Sequence, residues 1–142
     1  MSMMRIFDTA GSGMAAESLR LNAVASNLAN ANSVSSSAAD AYKAKELLFA
    51  PARSVASADG SPADATDVGV RVVGVSEDPQ PVAPQYAPDN PMADANGYVY
   101  GTNVNPVDEL VNMISASRSY QNNVEVMNTT KQLMIKTIDL GS

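Results

Sequence analysis

The sequence predicts a mainly α-helical chain: long N- and C-terminal helices pairing as a coiled-coil-like unit, with a small loop-rich centre that carries short β-strands. Three observations predict it. Apart from Pro106 itself, residues 5–32 and 106–140 hold no proline, and both place an apolar residue about every 3.5 positions. All eight prolines fall from Pro51 to Pro106, where continuous helix is excluded. Between them, residues 68–75 alternate in the two-residue period of a half-buried strand.

The N-terminal helix, 5–32, carries the stripe Phe7, Ala10, Met14, Glu17, Leu21, Val24, Leu28 and Ala31, spaced three and four apart. It then dissolves through Asn30, Asn32 and Ser33 into the run Ser35, Ser36, Ser37. The stripe of the C-terminal helix, 106–140, is Leu110, Met113, Ser117, Tyr120, Val124, Met127, Lys131, Met134 and Ile138. Its start is marked three times: Asn105 suits the N-cap, Pro106 the first turn, and Asp108 and Glu109 the positive end of the dipole. Lys131 and Lys136 lie toward the other end, with Gly141 as a closing glycine.

Such stripes fit either a left-handed coiled-coil seam or two helices packed in an ordinary core. Length favours partners outside the chain. At 1.5 Å per residue the helices run about 40 and 50 Å, and the middle offers little to cover them.

In the centre, 33–105, the segment 33–67 reads as loop, interrupted at Tyr42 to Phe49 by a short strand or helical turn. The strand at 68–75 doubles Val72-Val73 as a bulge would. From Asp78 onward the prolines at 79, 81, 84, 88 and 91 impose an extended path, and Asn96-Gly97 turns the chain into a short strand, Tyr98 to Tyr100. A hairpin-like pairing of that strand with the valine-rich one is expected.

Composition excludes several function classes. With no cysteine and no histidine, disulfides, thiolate metal sites, the usual general base and the Ser-His-Asp relay are all out of reach. No Ser-Lys or paired-carboxylate spacing replaces them, so neither an enzyme nor a cofactor or metal site is expected. A net charge of −6 disfavours nucleic acid and anionic membrane surfaces. No apolar run approaches a membrane span, and Glu17 and Arg20 occupy the place of a signal peptide's apolar region. Direct membrane insertion and a cleaved signal are not expected.

Three motifs fail in context. Gly11-Ser12-Gly13 with Ala16 fits a dinucleotide pattern but lacks the βαβ unit around it. Asp94-Ala95-Asn96-Gly97 imitates a calcium loop, yet Met92 and Asn103 stand where carboxylates belong. Asn128-Thr129-Thr130 is a glycosylation sequon in mid-helix. Asp59, Asp64, Asp67, Glu77 and Asp78 read as solvated loop charges.

The residues also carry a resemblance. Ser26-Asn27-Leu28-Ala29-Asn30, led in by Gly13-Met14 and Arg20-Leu21-Asn22, resembles the S-N-L-A-N signature of bacterial flagellar axial proteins. Gly69-Val70-Arg71-Val72, Glu77-Asp78-Pro79, Gly97-Tyr98-Val99, Asn103-Val104-Asn105-Pro106 and the stretch from Met113 to Asn128 resemble the FlgC family of basal-body rod proteins. The resemblance covers about two-thirds of the chain. Residues 33–41 and 50–67 match no pattern of that family, and Ser119 and Asn122 stand where similar proteins often have alanine.

The resemblance implies a structural subunit of the proximal rod, the periplasmic drive shaft between the inner-membrane motor and the distal rod. It implies export through the flagellar type III apparatus with an uncleaved N-terminal signal, and helical termini that form an inner tube with the centre facing outward. Partners would be further copies, neighbouring rod and basal-body proteins including the distal rod and a motor-proximal adaptor, and the export apparatus. The expected packing residues are Leu21, Val24, Ser26, Asn27, Leu28, Asn30, Leu110, Met113, Tyr120, Val124, Met127, Asn128 and Met134. Among them Asn27, Asn30 and Asn128, together with Asn122 and Asn123, are expected either to bond across helices and fix register or to lie on a solvated face. Another type III-exported coiled-coil structural or effector protein would share these helical ends.

Overall fold

A computed structural model of the chain describes residues 3–52 and 69–140. It contains helix α1 (Met3–Asn30), strands β1 (Lys45–Pro51), β2 (Val70–Glu77), β3 (Pro84–Tyr86) and β4 (Tyr98–Tyr100), and helix α2 (Pro106–Leu140). The fold is mainly helical with a small β centre. Gly141, Val68, Asp59, Asp64 and Asp67 lie outside the described residues.

The helix boundaries follow from local chemistry. At the start of α2 the Asn105 side chain accepts the Val107 amide at 3.0 Å while its carbonyl accepts that of Glu109, the N-cap geometry that the Asn-Pro pair permits. Helix α1 ends at Asn30, two residues before the sequence suggests: the Ser33 amide and hydroxyl both donate to the Asn30 carbonyl and close the last turn.

The strands pair differently from expectation. Tyr98–Tyr100 does not join the valine-rich strand; it pairs antiparallel with β3, register Pro84 to Tyr100, Gln85 to Val99 and Tyr86 to Tyr98. The valine-rich β2 instead forms a two-stranded ribbon with β1, so the undecided segment 42–49 is strand from Lys45 onward. Hydrogen bonds flank this ribbon from Ala52 to Gly69 and from Asp78 to Ala44. Nine residues of one strand, 44–52, thus face ten of the other, 69–78. One extra residue on the β2 side is what a bulge supplies.

The chain divides into two compact units. One comprises Met1–Leu19, Leu48–Gly74 and Ala116–Ser142; within it Ala10, Ala16, Ala116 and Thr130 are buried. Its close packing rests on small residues. A Cβ added at Gly13 would stand 2.8 Å from the Asn123 side chain, and Ser12 accepts the Val70 amide next to Gly69, whose φ is +97°.

The other unit comprises Arg20–Leu47 and Val75–Ser115. Its buried residues include Val24, Asn27, Ala41, Ala44, Val99, Val104 and Glu109. Around β3 and β4, Asp94 organises the turn: its carboxylate accepts the Asn96 and Tyr98 amides and the Tyr100 hydroxyl. Gly97 takes a φ of +81° beneath Tyr86, and the Tyr86 and Tyr98 rings meet edge to face. Asp94 therefore serves the turn. Among the described residues, no cluster of carboxylates able to hold a metal ion occurs, and no helix is long and apolar enough to cross a membrane.

Candidate assembly surfaces

The innermost residues of the two helices are small or polar, while many large apolar ones face out. Along α2 the buried positions Glu109, Ala116 and Thr130 are multiples of seven apart, with half-buried Asn123 completing the row. This row lies one residue ahead of the expected Leu110, Ser117, Val124 and Lys131. The companion row of Met113, Tyr120, Met127 and Met134 is half-buried except at Tyr120. Ala116, with 0% of its surface accessible, gives the reason: small residues on the inner line let a neighbouring backbone come close.

Of the residues expected to pack, Val24 and Asn27 are buried; Leu21, Ser26, Leu28, Asn30, Met113, Val124, Met127 and Met134 are half-buried; Leu110, Tyr120 and Asn128 are exposed. Asn27, 2% exposed, is engaged within its own unit. Its Oδ1 accepts the Lys45 amide at 2.8 Å and the Tyr42 hydroxyl at 3.0 Å, and its Nδ2 donates to the Lys45 carbonyl at 3.0 Å. Ser26 Oγ lies 3.0 Å from the same Tyr42 hydroxyl, and Lys45 Nζ sits over the Tyr42 ring at 5.6 Å. The Ser26-Asn27 pair of the motif therefore fastens α1 to the entry of β1.

Asn103 works beside it. Its Oδ1 accepts the Ala44 amide at 2.7 Å, and its Nδ2 donates to the Asp78 and Gln80 carbonyls. With the Asp78 amide on the Ala44 carbonyl, all four backbone groups of Ala44 and Lys45 are held, three of them by asparagine side chains. An asparagine is the one neutral side chain besides glutamine that offers both a donor pair and an acceptor to a peptide. In the same unit Arg20 donates to Asn112 at 3.3 Å, joining a turn of α1 to a turn of α2.

Outward lie two apolar surfaces. Val107, Leu110, Val111 and Ile114 occupy positions i, i+3, i+4 and i+7 of α2, and Val107, Val111 and Ile114 are 67%, 61% and 57% exposed. On the ribbon, Leu48, Phe49, Val70, Val73 and Val75 are exposed and are spread over both of its faces, since the neighbours Leu48 and Phe49 point opposite ways. Sequence periodicity finds only Leu110 of the first surface, because Val107, Val111 and Ile114 fall off the seam that the heptad rhythm selects. A second helical window offset by one residue is the signal that finds them.

Comparisons with known proteins agree with this arrangement. Residues 7–35 match the family model "Flagella basal body rod protein", and residues 95–140 match "Flagellar basal body rod FlgEFG protein C-terminal". The chain is 50% identical over 141 residues to the flagellar basal-body rod protein FlgC of Salmonella typhimurium and, equally, to that of Yersinia enterocolitica, covering 99% of both partners in each case. The FlgC of Buchnera aphidicola from Acyrthosiphon pisum is 41% identical over 143 residues, again covering 99% of each chain. With such identity along its whole length, the chain belongs to the FlgC family of flagellar basal-body rod proteins, structural components of the flagellum and not enzymes.

Proposed function

We propose that this chain is a subunit of the proximal rod, polymerising through α1 and α2 with further copies and neighbouring rod proteins into a periplasmic shaft that carries motor torque. The observation that supports it is the exposure of large apolar residues along α2 in the single chain. Burying each such side chain is worth about 1.5–3 kcal/mol, so neighbours that cover them supply a large driving force. In this reading α1 and α2 pair along Leu21, Val24, Leu28, Met113, Val124, Met127 and Met134, with Leu110, Tyr120 and Asn128 turned toward neighbouring subunits. Ser26 and Asn27 hold the centre against α1, and Asn30 closes its last turn. The helical ends pass the flagellar type III apparatus largely unpaired and gain their order on assembly.

The test is to purify hook–basal bodies from the source bacterium, identify their rod proteins by mass spectrometry, and score motility of a deletion strain. The expected result is this chain in the rod and an immotile, rodless deletion. Normal swimming with the chain absent from basal bodies would assign the helices to another exported assembly.

A further inference from the structure

We propose that Asn96 is a site of spontaneous covalent modification: its side-chain amide is lost to attack by the Gly97 nitrogen, and the isoaspartate that forms opens the β3–β4 turn. The reaction needs an asparagine open to water, an unhindered backbone nitrogen after it, and a chain that can open locally. Asn96 is exposed in the turn before β4. Of the twelve asparagines in the sequence it alone precedes a glycine. Glycine lacks a Cβ, so its nitrogen is the least shielded and its backbone rotates most freely.

The other asparagines are withheld by their surroundings. Six lie inside α1 or α2 and are followed by amides that the helix ladder holds. Asn90 and Asn105 precede prolines, which have no amide to give. Asn30, Asn32 and Asn103 precede residues with side chains, whose amides donate to the Leu28 carbonyl, the Asn30 carbonyl and the Thr102 hydroxyl.

The chemistry balances with water alone. Hydroxide takes the Gly97 amide proton, the nitrogen bonds to Asn96 Cγ, and ammonia leaves as a five-membered succinimide closes. Water then opens the ring. Opening at Cγ gives aspartate; opening at the main-chain carbonyl gives isoaspartate, in which the chain runs through the former side chain.

Asp94 limits the rate. In the closed turn the Gly97 amide donates to the Asp94 carbonyl at 3.0 Å, and the Asp94 carboxylate accepts the Asn96 and Tyr98 amides at 2.8 and 2.9 Å. A nitrogen so engaged does not attack, so the reaction proceeds from the opened turn, and Asp94 is the positioning residue that keeps it closed. The product does not refit. Isoaspartate lengthens the main chain by one carbon and places a new carboxylate near that of Asp94. The Asp94 amide on the Tyr98 carbonyl and the Ala87 amide on the Gly97 carbonyl depend on the original spacing. Their loss frees the end of the β3–β4 pair beside Val99, which is 1% exposed.

The purified full chain is held in warm, mildly alkaline buffer and digested at intervals. Mass spectrometry reads the replacement of NH by O at each asparagine, and enzymatic methylation of isoaspartate reads the rearranged linkage. The expected outcome is that Asn96 converts first, chiefly to isoaspartate, while the near-ultraviolet tyrosine signal falls in step. Asn96→Gln, which would have to close a six-membered ring, should keep that signal. Asp94→Ala is expected to convert about tenfold faster, the order that follows from losing one or two net hydrogen bonds. Asp94→Ser, which keeps a shorter acceptor, replaces it if that variant does not fold. Another asparagine converting first, or Asn96 intact over the time in which it converts in the urea-unfolded chain, overturns the site. Equal rates in the wild-type chain and the Asp94 variant overturn the restraint by Asp94.

Discussion

The side-chain amide of Asn27 holds both backbone groups of Lys45, donating to its carbonyl at 3.0 Å and accepting its amide at 2.8 Å. A buried helix side chain thereby stands in for a neighbouring strand at the point where β1 begins. Removing it leaves two peptide groups and the Tyr42 hydroxyl without that partner. A fully buried group so orphaned costs about 1–3 kcal/mol, and these part-buried ones less.

Asn27→Ala is therefore expected to lower stability by about 3 kcal/mol, measured by urea denaturation, with faster hydrogen exchange at Lys45. Asn27→Asp keeps the acceptor but turns an oxygen toward the Lys45 carbonyl, so it should be at least as damaging. If Asn27→Asp is stable and assembles normally, the clamp does not hold the strand.

Ala116 has no accessible surface. Ala116→Leu overpacks the inner line of α2 and is expected to cost about 1–3 kcal/mol. Leu110→Ala, on the exposed face, should leave the thermal midpoint of the monomer nearly unchanged while reducing incorporation into rods. Equal effects of the two changes on the isolated chain would contradict this division.

Gly97 combines a φ of +81° with Tyr86 Cε2 standing 3.0 Å from where a Cβ would sit. Gly97→Ala is expected to cost about 1–2 kcal/mol in backbone strain, with the Tyr86–Tyr98 ring contact displaced. Near-ultraviolet circular dichroism and thermal melting report both; an unchanged tyrosine signal would refute the displacement.

The Asp94 carboxyl is held below its ordinary value, chiefly by the Tyr98 amide, with the Asn96 and Gly97 amides and the Tyr100 hydroxyl adding to it and desolvation opposing. A depressed value in the folded state means that the turn is stabilised above the unfolded carboxyl's range and loses that contribution as pH falls below about 4. Titration followed by NMR should place the Asp94 midpoint below the ordinary carboxylate range. In Asp94→Asn the acid-dependent loosening of residues 94–100 should disappear.

Much of the helical frame was legible in the sequence because proline and asparagine act locally: Asn105 and Pro106 fix where α2 begins whatever surrounds them. The partner of β4 was not. Tyr98-Val99-Tyr100 says only that a strand exists, and the choice between Pro84–Tyr86 and the valine-rich strand depends on chain path, which Gly97 and Asp94 set together. On α2 the most buried row of the single chain lies one residue ahead of Leu110 and Val124, because close approach selects small side chains such as Ala116 and Thr130 where hydrophobicity alone selects large ones. Asn27 was legible as a residue of the motif that either bonds across helices or is solvated, but its partner Lys45 lies in a segment that periodicity left undecided.

The β1–β2 ribbon carries two edges that no third strand covers among the described residues. An uncovered ribbon with valine and leucine on its face is a template for uncontrolled strand addition. Lys45, Glu46 and Pro51 on β1 and Arg71 and Glu77 on β2 interrupt both edges with charge or a missing amide, and the extra residue on the β2 side twists the strand away from flat stacking. The ribbon is thus guarded against fibre growth at both of its edges.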